Sequence, residues 1–245
     1  MNYTIMSGCF EKGSSEEQAG YIGLFGPENI QYYFDLYFHW YNLVHEVGHC
    51  IVEKQGAVMS KVREEMYVNE LAVGFYRAIG ENEKLDSLKG KLEEIIGRMP
   101  APMPEGEGFR EFYERIWGTE QLNNVMIYGY FQLNSVLEAF RAARSFLDVM
   151  KEIGVEISEV GASADEGADT ATSADAGAEA STGAGAEAST GAGANADMAN
   201  LEICSENAQA FFAYALRRLG DFGIDLPQIR LELVDSPMIQ CARSE

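Results

Sequence analysis

Basic residues are scarce in this chain. Of 245 residues only 18 are Lys or Arg, against 39 Asp or Glu, which leaves a formal charge of -21. No basic patch stands out, and such acidity argues against nucleic acid or an anionic membrane surface as a partner. Long apolar runs are missing too. No stretch approaches the ~20 residues that a membrane span requires, and the first residues lack the basic and apolar regions of a signal peptide. Four cysteines (Cys9, Cys50, Cys204 and Cys241) are scattered without any C-x-x-C spacing. That excludes a thiolate zinc site or disulfide framework as the working expectation and favours free thiols in a reducing compartment, so a cytoplasmic protein is expected. Histidine is scarcer still: the chain has three, His39, His45 and His49, all within eleven residues.

What is present is enough for a sizeable core, with 47% hydrophobic residues. The clearest break spans 158–199. Of its 42 residues 31 are Ala, Gly, Ser or Thr, eight are acidic and none is basic. The string GAEASTGA at Gly177–Ala184 repeats without change at Gly185–Ala192. Too little apolar surface is available there to offset the ordering entropy, so a disordered loop is expected. The 46 residues after it are too few to fold alone, and they are read as one helix from about Ser205 to Gly220 and one strand over Ile229–Val234, docking back on the core. Three regions follow: a helical core over 1–157, the low-complexity loop, and the docking piece 200–245.

The core reads as nearly all helix. Gly26-Pro27 opens a helix ending near Gln55, stopped by Gly56; Ser60 caps a second that runs to Ile79, stopped by Gly80; a third covers about Glu83 to Gly97. After the proline-rich stretch 100–104 come helical turns near Phe109–Trp117. A long helix then runs from about Asn124 to Ile153, with a possible interruption at Gly129. Strand signal is weak, Tyr3 to Met6 at best. The expected fold is mainly α: one helical domain, minor β at most.

The first helix carries His45-Glu46-Val47-Gly48-His49. Histidines four apart stack on one helix face, so both imidazoles reach one ion, and the glutamate beside the first is placed to hold a proton without ligating. A catalytic zinc site needs a third protein ligand. His39 lies about 120° round the helix and fits poorly. The second helix, joined by a short loop, packs antiparallel and offers carboxylates. Glu70 is the favoured ligand, because Val62, Met66, Leu71, Val73 and Phe75 around it make a buried unpaired carboxylate costly; Glu65 is the alternative. A ferritin-like di-iron site is excluded because neither His39 nor His45 has a glutamate three residues before it.

HExxH followed by Asn69-Glu70 on a second helix resembles the gluzincin zinc metallopeptidases and, more loosely, the ImmA/IrrE-type proteases. The resemblance covers about Tyr32 to Gly80. It implies zinc held by His45, His49 and Glu70, Glu46 as general base, and a peptide or protein substrate. Asn69 would orient a motif histidine. Those enzymes place a sheet ahead of the motif and stabilise the oxyanion with a later histidine or a tyrosine. Here no histidine follows His49, which leaves Tyr128 and Tyr130, beside Gly129, and Tyr113 as candidates. The competing expectation is a non-catalytic helical interaction protein with a retained structural metal site.

Overall fold

In a computed structural model of the protein, residues 2–157, 201–235 and 239–244 are described, the last of these by backbone alone. The low-complexity loop expected at 158–199 lies outside the described residues. The fold is mainly helical with one small sheet, as the composition and periodicity predict.

Strand β1 (Asn2–Gly8) is followed by α1 (Ser15–Phe25), a helix not among those expected. Its start is nonetheless written in the chain: Ser14 Oγ accepts from Glu17 N at 3.3 Å, and the Glu17 carboxylate accepts from Ser14 N at 2.8 Å, a reciprocal capping box. The expected helix to Gln55 is one helical run with a widened centre: α2 (Ile30–Asp35), a π-helical stretch over Leu36–Tyr41, and α3 (Asn42–Gln55). It stops at Gly56, whose φ of +66° a side chain rarely adopts. Ser60 caps α4 (Lys61–Ala78) by accepting from Arg63 N at 3.1 Å, and α5 covers Asn82–Arg98.

After α6 (Phe109–Ile116) the long helix breaks in a different place from the one expected. Gly129 lies inside α7 (Val125–Ala142), and the interruption falls at Ala143, with φ +50°, before Ser145 caps α8 (Phe146–Glu152). The docking piece contributes α9 (Ala208–Asp221), β2 (Gln228–Val234) and β3 (Ile239–Ser244). The sheet order is β2-β1-β3, with β1 parallel to β2 and antiparallel to β3. The two ends of the chain thus close on each other, and the weak signal at Tyr3–Met6 becomes the central strand because Tyr3, Thr4, Ile5 and Ser7 are all buried.

A buried pair ties this sheet to the helices. His39 Nδ1 lies 2.6 Å from Asp35 Oδ1 and its Nε2 lies 2.9 Å from the Gly8 carbonyl. Both ring nitrogens therefore meet acceptors, one on α2 and one at the end of β1, and His39 is outside the group formed by His45, His49 and Glu65.

Helix α4 runs through the middle of the core, packed on α3, α7 and α8, with Tyr67 to Tyr76 buried throughout. Two glycines set the spacing. A Cβ on Gly48 would lie 3.0 Å from Val68 Cβ, and one on Gly74 would lie 3.1 Å from the Phe146 backbone. Gly48→Val should therefore force α3 and α4 apart, destabilising the protein by about 1–3 kcal/mol, measurable by urea unfolding, and weakening any metal bound between these helices.

A four-membered ion network fastens α4 to α8. Arg63 bonds Glu70 at 2.9 Å and Glu152 at 2.7 Å, and Arg144 bonds the same two carboxylates at 2.6 Å each. Burial alone would raise the Glu152 carboxyl, but Arg63 and Arg144 outweigh it and hold it below the ordinary value of 4.5. A depressed folded pKa stabilises above the unfolded value and loses that contribution as pH falls through the folded one. Urea midpoints measured from pH 6 to pH 3 should fall more steeply for the native chain than for Glu152→Gln, with the divergence below about pH 4.5.

Candidate metal centre

The α3 face presents His45 and His49 one turn apart, with ring centroids at 5.0 Å. Opposite them α4 presents Glu65. His45 Nε2 lies 3.5 Å from Glu65 Oε2, and His49 Nε2 lies 3.6 Å from Glu65 Oε1. These separations are too long for hydrogen bonds, yet all three ligand atoms sit within 4.8 Å of one another. An ion with tetrahedral bonds of about 2.0–2.1 Å holds its donors ~3.3–3.5 Å apart. The two His–Glu65 separations are compatible with ligands around one metal ion. Glu65 Oε2 is, moreover, a buried oxygen with no hydrogen-bond partner, an arrangement that costs free energy until a cation satisfies it.

The hydrogen bonds behind the histidines favour the same use. His45 Nδ1 lies 3.0 Å from Asn69 Oδ1, and His49 Nδ1 lies 2.8 Å from Glu64 Oε1. Each imidazole donates its Nδ1–H to an acceptor and turns the Nε2 lone pair to the common point, the tautomer a metal requires. Asn69 is itself locked, since Tyr41 Oη donates to its Oδ1 at 2.9 Å while its amide donates to the Glu65 carbonyl at 2.9 Å and to Ser135 Oγ at 3.1 Å. Lys61 braces Glu64 at 2.8 Å. The His49 hydrogen bond, assisted by Lys61, brings the Glu64 carboxyl down to about 2 against the opposing effect of burial. Burial lowers the His45 pKa, but Glu65, Glu46 and Asn69 together raise it on balance. Burial raises the Glu65 carboxyl, and the two imidazoles bring it net below its ordinary value. The pocket thus attracts positive charge at its centre. The His45-His49-Glu65 group can hold a metal ion.

Glu70, the expected third ligand, is elsewhere. Five residues beyond Glu65 means about 140° of rotation and ~7.5 Å of rise along α4, which turns it to Arg63 and Arg144. Glu70 is buried among apolar neighbours as expected, but cations on α4 and after α7, Arg63 and Arg144, neutralise it. Glu65 falls into place because the loop between Gln55 and Lys61 folds α3 back on α4: His49 is six residues before the end of α3, and Glu65 four residues into α4. Asn69 follows Glu65 by four and shares its face. Glu64 and Ser135 carried no distinguishing signal in the sequence; two adjacent glutamates one turn after a capped helix start were the available hint.

Glu46 opens on the same cleft, a space of about 1210 Å³ that also borders the three ligands, and Asn42 Nδ2 donates to its Oε1 at 3.2 Å. Of the three candidate tyrosines, Tyr128 lines this cleft, with its hydroxyl accepting from Gln132 at 2.8 Å. Burial, reinforced by Glu65, pushes its pKa up to about 12. Tyr130 is buried and does not line the cleft, and Tyr113 is buried with its hydroxyl donating to the Ile127 carbonyl at 2.7 Å. No helix among the described residues is long and apolar enough to cross a membrane. No protein-family model, curated protein or solved structure shows significant similarity to the chain.

Metal analysis of the purified chain separates the two carboxylates. His45→Ala and Glu65→Gln should each lower zinc affinity by more than about 100-fold, the upper end of what losing a supporting hydrogen bond costs; Glu64→Gln should lower it about 10–100-fold. Glu70→Gln should leave metal content unchanged while costing about 1–3 kcal/mol of stability, because Arg63 and Arg144 each lose one charged acceptor and keep Glu152. Loss of metal from Glu70→Gln with retention in Glu65→Gln would reverse the assignment.

Proposed function

We propose that the protein is a zinc-dependent peptidase in which His45, His49 and Glu65 hold the ion and Glu46 is the general base. The observation that carries this reading is the glutamate one residue past the first ligand, opening on the cleft while standing outside the ligand set. Two imidazoles and one carboxylate are a donor set of catalytic zinc sites. When bound, zinc supplies Lewis acidity and brings the pKa of a water close to neutral.

The chain's own groups do the rest. Asn42 anchors one Glu46 oxygen and so aims the carboxylate into the cleft. Glu46 takes a proton from the attacking water as its oxygen bonds to the scissile carbonyl carbon. It then delivers that proton to the departing amine nitrogen as the C–N bond breaks; the water's second proton follows to the amine, leaving a carboxylate and an ammonium group. Asn69 and Glu64 hold the two imidazoles in the tautomer that leaves Nε2 available. In this reading Tyr128, which lines the cleft, would donate to a developing oxyanion.

A second reading, a non-catalytic interaction protein with a structural metal site, is favoured by the exposed apolar residues at the cleft mouth. Glu46→Gln separates the two. Zinc content should stay at one per chain while hydrolysis of a quenched-fluorescent peptide library drops by at least ~100-fold, the scale of losing a general base. A native, zinc-loaded chain that cleaves nothing in the library would sink the peptidase reading and leave the structural one.

A further inference from the structure

We infer that the mouth of this cleft selects cationic peptide segments that carry an apolar anchor residue, a specificity that rests on the reading of the cleft as a peptide site. The first observation is where exposed apolar surface collects. Among the described residues seven large apolar side chains are exposed, and four of them line this one cleft: Val58 at 98%, Val125 at 79%, Met126 at 51% and Tyr128 at 42%. Exposed apolar residues scattered singly need no explanation, but a group of them on the rim of a site marks where something binds.

Their placement follows from the fold. Val58 sits in the loop that joins the two ligand-bearing helices, and Val125 and Met126 form the first turn of α7, whose cap Asn124 fixes the backbone by accepting from Met126 N at 2.9 Å. A rigid capped turn holds these side chains outward at little entropic cost to binding.

The second observation is charge. Among the described residues the cleft is lined by five carboxylates (Glu17, Glu46, Glu53, Glu64 and Glu65) and by one cation, Lys61, which is already paired to Glu64. A divalent ion at the centre offsets two of these charges and leaves the wall acidic. The whole chain adds to this field with its charge of -21. An acidic segment would be repelled on approach, and a basic one steered in. The apolar rim supplies the contact and the carboxylates choose the sign.

The test is a binding measurement on the full chain carrying Glu46→Gln, loaded with zinc, so that turnover plays no part. Three fluorescein-labelled ten-residue peptides are compared by anisotropy: a central Leu flanked by Lys and Arg, the same Leu flanked by Glu, and a central Ser flanked by Lys and Arg. The first should bind at least ~10-fold more tightly than either other, the scale of ~1.4 kcal/mol, and its affinity should fall as salt rises. Adding Val125→Ser and Met126→Ser, both on the surface and remote from the core, should erase the preference for Leu over Ser while keeping the preference for basic flanks. Equal affinity for basic and acidic peptides overturns the proposal, as does a Leu preference that survives the double substitution, or no binding by any of the three. Selective binding by the Glu46→Gln chain without cleavage by the native one leaves the selectivity standing and removes the peptidase. Cleavage without selectivity does the reverse.

Discussion

Helices α3 and α4 approach closely at Gly48: a Cβ there would lie 3.0 Å from Val68 Cβ, tight enough that the neighbour would have to give. A glycine inside a helix costs about 1 kcal/mol in conformational freedom relative to alanine, and here that cost is offset by what it brings together. With the backbones this near, the short carboxylate arm of Glu65 reaches both imidazoles, and the Asn69 amide reaches behind His45. A wider crossing would leave two histidines on one helix and a glutamate on another with water between them. The cleft, the acidic wall and the apolar rim are all arranged around that contact.

The electrostatics of the pair are divided by face. On the side of α4 turned to α3, Glu64, Glu65 and Asn69 supply acceptors and a carboxylate oxygen without a donor. On the other side Glu70 meets Arg63 and Arg144, which also bind Glu152. One helix thus keeps a satisfied ion network facing α8 and an unsatisfied, cation-seeking site facing α3. A buried carboxylate can be stabilised by arginines or by a metal, and this helix shows both solutions five residues apart.

The sheet bears on the site indirectly. Strand β1 has both its edges paired and its end held by His39 and Asp35. Tyr3 of that strand reaches the cleft wall. The third histidine of the chain is thereby accounted for: it lies in the π-helical stretch that leads into α3, and its hydrogen bonds go to Asp35 and the Gly8 carbonyl.

Much of this was legible in the residues themselves. Helix stops at Gly56 and Gly80, the cap at Ser60 and the alternation at Ile229–Val234 are local signals, and local backbone preferences produce them wherever the segment sits. The i, i+4 histidines belong to the same kind of evidence, because a helix alone places them on one face, with Glu46 about a quarter turn away. The third ligand was beyond local reading. Glu65 and Glu70 stand in similar company along the chain, and which one meets the histidines depends on where the loop at 56–60 folds α3 back and how near Gly48 lets the helices come. The break at Ala143 and the rise of β1 from a weak strand to the central one are decided likewise, by a neighbour's backbone and by a partner more than two hundred residues away. Sequence alone determined that two histidines share one helix face with a glutamate beside them. Only the tertiary structure decided which carboxylate completes the set, because ligand distance is set by helix packing and not by residue type.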